Sequence, residues 1–349
     1  MVSAAAALVP CTCGELVQGI RGDEPFLVSC PIDLYSRVTA IVGYLPASAS
    51  SGEPSASQEW VGVAEPGMME PPPDENDPYG RATVKARMAA EATLALLGWR
   101  GVPFSLRIER PLPPSKGFGT STADVVGAVA ATAAAIGRRL QPEAMAHIAV
   151  SVEPSDSTMF PGLAIFDHRS GRRWEPLGNP PPLLIAVLEM DGEVDTQDYN
   201  ARLDLAALRS LEPEHRMALE LLREGLRTGR LEMIGRAASA SARANQRLLP
   251  KPYLEEIIAM GERFGALGVC VAHSGTAVGV LFGPDARNSA ARLVAAATSG
   301  GITRPRRAWV SRLAAGGARI LPQSEDGQKD RQGVPPRRRI PASGARTHA

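Results

Sequence analysis

Aromatic residues make up only 5% of this 349-residue sequence, and it holds just four cysteines, Cys11, Cys13, Cys30 and Cys270. Four thiols in a chain this long do not make a disulfide framework, and a single C-x-C without a second pair or flanking histidines is poor zinc spacing. They are expected to be reduced and buried. Net charge is also lacking: 38 Lys and Arg against 37 Asp and Glu leave +1, which gives no overall pull toward nucleic acid or an anionic membrane. No stretch approaches the roughly 20 apolar residues needed to span a bilayer, and the opening MVSAAAALVP has no basic n-region of a signal peptide. A soluble cytoplasmic protein with a small-molecule ligand is expected, long enough to bury a sizeable core.

What is present is an interleaving of strands and helices. Residues 8–19 and 26–43 carry apolar and β-branched residues in near alternation and predict a hairpin. Between Pro46 and Tyr79 the sequence turns to Pro, Ser, Gly and acidic residues, which suits a long insertion loop with at most a short strand at Trp60–Val63. Val84, Met88, Ala92 and Leu96 recur at helical spacing before Gly98, and PFSLRIE predicts a strand. Further helices are expected at about 201–226, 228–247, 249–268 and 285–299. Strands are expected at 183–190 and on either side of the glycine turn in GVCVAHSGTAVGVLF, and a hairpin in LAIFDHRSGRRWEPL. From Leu321 onward apolar residues almost vanish, so residues 321–349 are expected to be a disordered basic tail. The order lacks the βαβ rhythm of a doubly wound sheet and predicts an α+β architecture of two domains, 1–180 (with the 46–78 insertion) and 181–320.

The stretch that carries chemistry is Pro113 to Thr122, PPSKGFGTST, set between a strand and the Ala-rich run ADVVGAVAATAAAI. A helix N-terminus presents unpaired N–H groups and partial positive charge, and glycines ahead of it let a ligand approach the backbone. Phosphate suits such a place. Gly117 and Gly119 supply the approach, while Thr120, Ser121 and Thr122 supply hydroxyls for phosphate oxygens or Mg²⁺. Lys116 precedes the glycines rather than following them, so the ordinary P-loop pattern is absent. Simple capping of a helix by Ser or Thr, with Asp124 in the first turn, is the alternative reading.

The run Pro113, Gly117, Phe118, Gly119, Thr120, Ser121, Thr122, Ala123 resembles the P-x-x-x-G-L-G-S-S-A-A signature of the GHMP kinases, the superfamily of galactokinase, homoserine kinase and mevalonate kinase. VPCTCGELVQG is similar to that family's first motif and GVCVAHSGTAVGVLF to its glycine-rich third. Within the superfamily, CGELVQG, SCPIDLYS, STAD, SVEPSDST, TQDY and LLPKP resemble the L-threonine kinases of cobalamin synthesis and propanediol utilisation. The resemblance implies a ribosomal-protein-like N-terminal domain and a ferredoxin-like C-terminal domain. It also implies ATP and Mg²⁺ as cofactors, and phosphorylation of L-threonine to O-phospho-L-threonine for the aminopropanol arm of cobalamin.

Site roles follow from the same resemblance. Pro113, Lys116, Gly117, Phe118, Gly119, Thr120, Ser121 and Thr122 form the nucleotide-binding segment, although Lys116 also reads as a solvated loop lysine. Ser121 and Glu153 are the expected Mg²⁺ ligands, with Asp124 as the other carboxylate candidate. Asp156 is expected to act with Ser121 in catalysis, as the acceptor of the substrate proton; an Asx-turn is its alternative. Glu15 is expected to meet the substrate ammonium, with Gln18, Asp198, Ser274 and Gly275 nearby. Arg21, Arg37, Lys251 and a glycine turn all remain open for the carboxylate. Other readings are a GHMP kinase acting on homoserine or an isoprenoid alcohol, or a non-catalytic nucleotide-binding module. The basic run PPRRRIPASGAR lacks interleaved aromatics, so neither nucleic acid nor membrane is expected as a partner.

Overall fold

A computed structural model describes residues 2–43, 80–192, 204–300 and 305–322, with only the backbone at 80–83. The insertion with its short strand, Asp198, and the tail from residue 323 lie outside the described residues. The fold is α+β, as expected. Its frame is a hairpin of β1 (Val2–Arg21) and β2 (Glu24–Gly43), longer at its start than the sequence suggested. The outer half of this hairpin carries β3 (Phe104–Glu109) on β2 and β10 (Arg319–Ile320) on β1. The inner half carries the remaining strands: β4 (Leu163–Phe166), β5 (Trp174–Gly178), β6 (Leu184–Glu189), β7 (Gly268–Val271), β8 (Ala277–Phe282) and β9 (Arg307–Arg312). They run in the order β5-β4-β2-β1-β7-β8-β6-β9, so one ten-stranded sheet joins both halves of the chain.

The hairpin register shifts three times between Pro10 and Val17. Such bulges bend a strand and re-aim its side chains. Here the irregular stretch contains Thr12 and Glu15.

Three apolar clusters fill the layers. The first packs α1 (Gly80–Leu96), α2 (Thr120–Ala135) and α3 (Pro142–Val152) on the outer hairpin. The second packs α5 (Glu212–Thr228) and α6 (Leu231–Asn245), which follow the short α4 (Leu205–Ser210), under the inner hairpin. The third packs α7 (Leu254–Arg263) and α8 (Arg287–Ser299) on β6 to β9. Helix α2 is buried along nearly its whole length. Only small residues allow this: a Cβ on its Gly127 would lie 2.6 Å from a Val38 methyl.

Helix α1 departs from the sequence reading. Its Val84, Met88, Ala92, Leu96 stripe does not seek the core: Met88 is 48% exposed, Leu96 60%. The buried face is Ala86, Ala89, Ala90, Thr93 and Leu94, which packs with α2 in the first cluster. The single helix expected at 201–226 breaks at Leu211, where Pro213 in the first turn of α5 supplies no N–H for a continuing ladder. Strands β9 and β10 were not foreseen. All four cysteines are free and buried, as expected.

Candidate active site

A cleft opens where the turn before α2 meets the β1 bulge, the loop after α3 and the turn between β7 and β8. Its floor is the N-terminus of α2. The N-cap is Gly119, left-handed at φ 61°, and no side chain caps the helix. The first helical bond runs from the Ala123 N–H to the Gly119 carbonyl, at 2.9 Å. The amides of Thr120, Ser121 and Thr122 therefore have no acceptor within the helix, and all three residues line the cleft. The Ser/Thr cap that spacing left open does not form. Asp124 serves elsewhere: it lies 2.5 Å from Arg110 Nε, fully buried, and burial still lifts its pKa to about 6 against that guanidinium.

The two glycines answer to crowding. Gly117 has φ 85°, and a Cβ there would come within 2.3 Å of Ala272 Cβ and 2.9 Å of the Ser274 carbonyl. Reciprocally, a Cβ on Gly275 would fall 2.5 Å from Gly117 N. The turn of the second motif and that of the third thus pack backbone against backbone, fastened by Thr276 and Ala277 N–H groups that both donate to the Lys116 carbonyl. A Cβ on Gly119 would lie 2.3 Å from Asp156 Oδ2 and 2.7 Å from Thr12 Oγ1. Gly119 is where the phosphate turn touches the acidic group. The first motif joins through the Thr12 N–H, which donates to the Phe118 carbonyl at 2.8 Å.

Three carboxyl groups line the cleft. Glu153 accepts from Ser121 Oγ on one oxygen and lies 2.5 Å from Lys85 Nζ on the other. Asp156 is fastened by its own N–H, which donates to Thr122 Oγ1 at 3.1 Å. Burial, and next the charge of Glu153, push the Asp156 pKa up to about 7, against the Thr12 hydroxyl and the Glu15 carboxyl that favour its charged form. Burial and Asp156 raise Glu15 well above the ordinary carboxyl range. Glu15 and Asp156 lie close enough for each carboxyl to affect the ionisation of the other. Behind Glu15, the Cys270 thiol donates to the Cys13 carbonyl at 3.2 Å in the core.

The structure brings Glu15, Gly117, Phe118, Gly119, Thr120, Ser121, Thr122, Glu153, Asp156 and Ser274 to this cleft, with His168 and His273 beside them. Other expected residues serve it indirectly. Lys116 is buried, and its Nζ donates to the Gly192 carbonyl at 2.7 Å, so this ammonium ties the turn to the end of β6 rather than standing over the phosphate site. Phe118 packs its ring on Trp309, centroids 5.7 Å apart, as a core anchor of the turn. Pro113 is half-buried ahead of the turn, outside the cleft wall. Gln18 lies behind the wall, where His273 Nδ1 is 2.7 Å from its Oε1. Arg21 and Arg37 sit at the surface opposite Glu175 and Glu109. Lys85 is the residue that sequence reasoning missed. It precedes the motif on a helix whose pattern gives no reason to single out one lysine.

The comparisons agree with this geometry. Residues 82–161 match the N-terminal domain of the GHMP kinases and residues 219–299 their C-terminal domain. An L-threonine kinase of Salmonella typhimurium is 33% identical over 278 residues, 79% of this chain and 82% of that one. The chain belongs to the GHMP kinase family. It is an ATP-dependent kinase of that family. An L-threonine kinase of Citrobacter freundii is 32% identical over 79% of this chain and 86% of that one. A homoserine kinase of Moorella thermoacetica is 27% identical over 58% and 69%. Among solved structures, homoserine kinase from Cytophaga hutchinsonii shares the fold with a TM-score of 0.64 at 15% identity, covering 91% of this chain and 98% of that one. Mevalonate diphosphate decarboxylase from Staphylococcus aureus does so with 0.65 at 12%, covering 92% and 99%. Among the described residues no helix is long and apolar enough to cross a membrane.

Proposed function

We propose that this GHMP kinase transfers the γ-phosphoryl group of ATP to the hydroxyl of L-threonine, giving O-phospho-L-threonine and ADP. The observation that carries the reading is the Glu15–Asp156 pair set against the uncapped end of α2, in a chain one-third identical to L-threonine kinases over most of its length. Phosphoryl transfer asks a protein mainly to position its reactants and neutralise charge. The free amides of Thr120 to Thr122 receive the phosphates. The substrate hydroxyl faces Asp156, which accepts its proton as the new O–P bond forms and the bond to ADP breaks. The substrate ammonium rests on Glu15, where its charge offsets a second negative charge on the pair.

Glu153 and Ser121 fit Mg²⁺: both offer hard oxygen donors, already in contact, and Mg²⁺ commonly takes one or two carboxylates and leaves its other positions to water and phosphate oxygens. Once bound, it neutralises charge on the phosphates. Lys85 holds the second oxygen of Glu153 and supplies positive charge on the same side. Supply of O-phospho-L-threonine to the aminopropanol arm of cobalamin is the finer reading, and it rests on the motifs shared with the cobalamin-linked kinases.

The test is ADP release by the purified protein with Mg·ATP and L-threonine, D-threonine, L-serine, L-homoserine or mevalonate. Turnover selective for L-threonine is expected. Selective turnover of homoserine or mevalonate would keep the kinase and replace the substrate, and nucleotide binding with no turnover on any alcohol would favour a binding module.

A further inference from the structure

An amino acid brings two opposite charges on one carbon, so the partners of its ammonium and its carboxylate must be neighbours. The cleft wall next to Glu15 is built that way. Glu15 pairs with Val271 across β1 and β7, and Ala272 and His273 come next in the chain. His273 lines the cleft, its ring set edge-on to His168 with centroids 4.9 Å apart.

Among the described residues, two buried groups behind that wall lack a partner of matching chemistry. Lys251, 3% exposed, donates to the Ala272 carbonyl at 3.2 Å and has no carboxylate within ion-pair distance among the described residues. Its positive charge reaches His273. Gln18, also 3% exposed, offers its Oε1 to His273 Nδ1, while its Nε2 has no acceptor. A buried ammonium without a counter-ion and a buried N–H without an acceptor are each costly to the fold. Burial alone pulls the Lys251 pKa down to about 8. His273 stands between both groups and the cleft, so one anionic group arriving beside it would answer both deficits.

Resting on the amino-acid substrate proposed above, we infer that the substrate α-carboxylate is received at the Gln18–His273 end of the cleft, with Lys251 as its counter-charge. ATP phosphates are provided for at the other end, by α2, Ser121 and Lys85. Lys251 is thus a specificity-determining residue that selects α-amino acids over plain amino alcohols.

The experiment compares L-threonine with (R)-1-amino-2-propanol, which is L-threonine without its carboxylate, in the wild type and in Lys251→Met. Removing one partner of a buried charge pair costs enough binding energy to predict a loss of about 10²-fold or more in kcat/KM for L-threonine. The amino alcohol, a poor substrate of the wild type, should change by less than about threefold, and the KM for ATP should hold. Lys251→Arg, which keeps the charge, should retain more of the L-threonine activity. If Lys251→Met does not fold, Gln18→Met carries the same prediction for the second donor. Equal losses on both acceptors, or a raised KM for ATP with L-threonine unaffected, would overturn the inference while leaving the substrate reading intact. A wild type inert toward L-threonine would remove both.

Discussion

Asp156 and Gly119 touch: the carboxylate of one lies where a side chain on the other would begin, 2.3 Å from the position of a Cβ. The proposed proton acceptor is thereby pressed against the cap of the helix proposed to receive the phosphates, at a position where a side chain would collide with it.

Gly119→Ala tests this. The left-handed backbone and the overlap with Asp156 and Thr12 should lower stability by about 1–3 kcal/mol and reduce kcat by more than tenfold. Gly98→Ala is the control, with φ 81° and open space around it; it should carry only the backbone cost of about 1 kcal/mol and leave kcat unchanged. Thermal melts and steady-state rates on both variants decide whether crowding at Gly119 matters beyond its dihedral angle.

Asp156→Asn should retain ATP binding and lose about 10²–10⁴-fold in kcat, the span attributed to a positioned proton acceptor. It should also stabilise the fold. A carboxyl whose pKa rises from 3.8 to about 7 on folding binds its proton more tightly when folded, so its destabilisation grows from pH 4 to pH 7 and is complete above. The variant's gain in Tm should be largest near pH 8 and shrink toward pH 5. A loss of stability at pH 8 would mean that the charged form is held by contacts stronger than its burial.

The rate should follow the same group. Asp156 must be ionised to accept a proton, so kcat/KM should fall about tenfold per unit below about pH 7. The residual activity of Asp156→Asn should lack that acid limb. A limb that survives in the variant would assign the titration to another group, with Glu15 the first to examine.

Lys85 and Ser121 share Glu153 between them. Ser121→Ala should raise the Mg²⁺ concentration needed for half-maximal rate, with little effect on rate at saturating Mg²⁺. Lys85→Met should instead lower kcat at every Mg²⁺ concentration, because a positive charge is lost where negative charge develops on the transferring group. Mg²⁺ titrations of the two variants, run side by side, separate these effects.

The sequence by itself determined most of the element order up to α8, the three motifs and the glycine turn ahead of α2. Those properties are local: alternation makes strands of the hairpin, small residues permit a buried α2, and Gly117 and Gly119 free the backbone ahead of it. It also placed Glu15, Ser121, Glu153 and Asp156 in the site, through the family resemblance. Only the tertiary structure decided what those residues do to one another. The bulge in β1 brings Glu15 to Asp156, and burial raises both carboxyls above their ordinary range, which no spacing along the chain reveals. Lys85 joins the site because α1 lies across α2, and Lys116 leaves it because a nearby carbonyl claims its ammonium. The apolar stripe of α1 faces largely outward because another face of the helix, mostly alanine with Thr93 and Leu94, packs on the core. In each case a pattern along one element was overruled by the shape and charge of another, and that is settled only when the chain is folded.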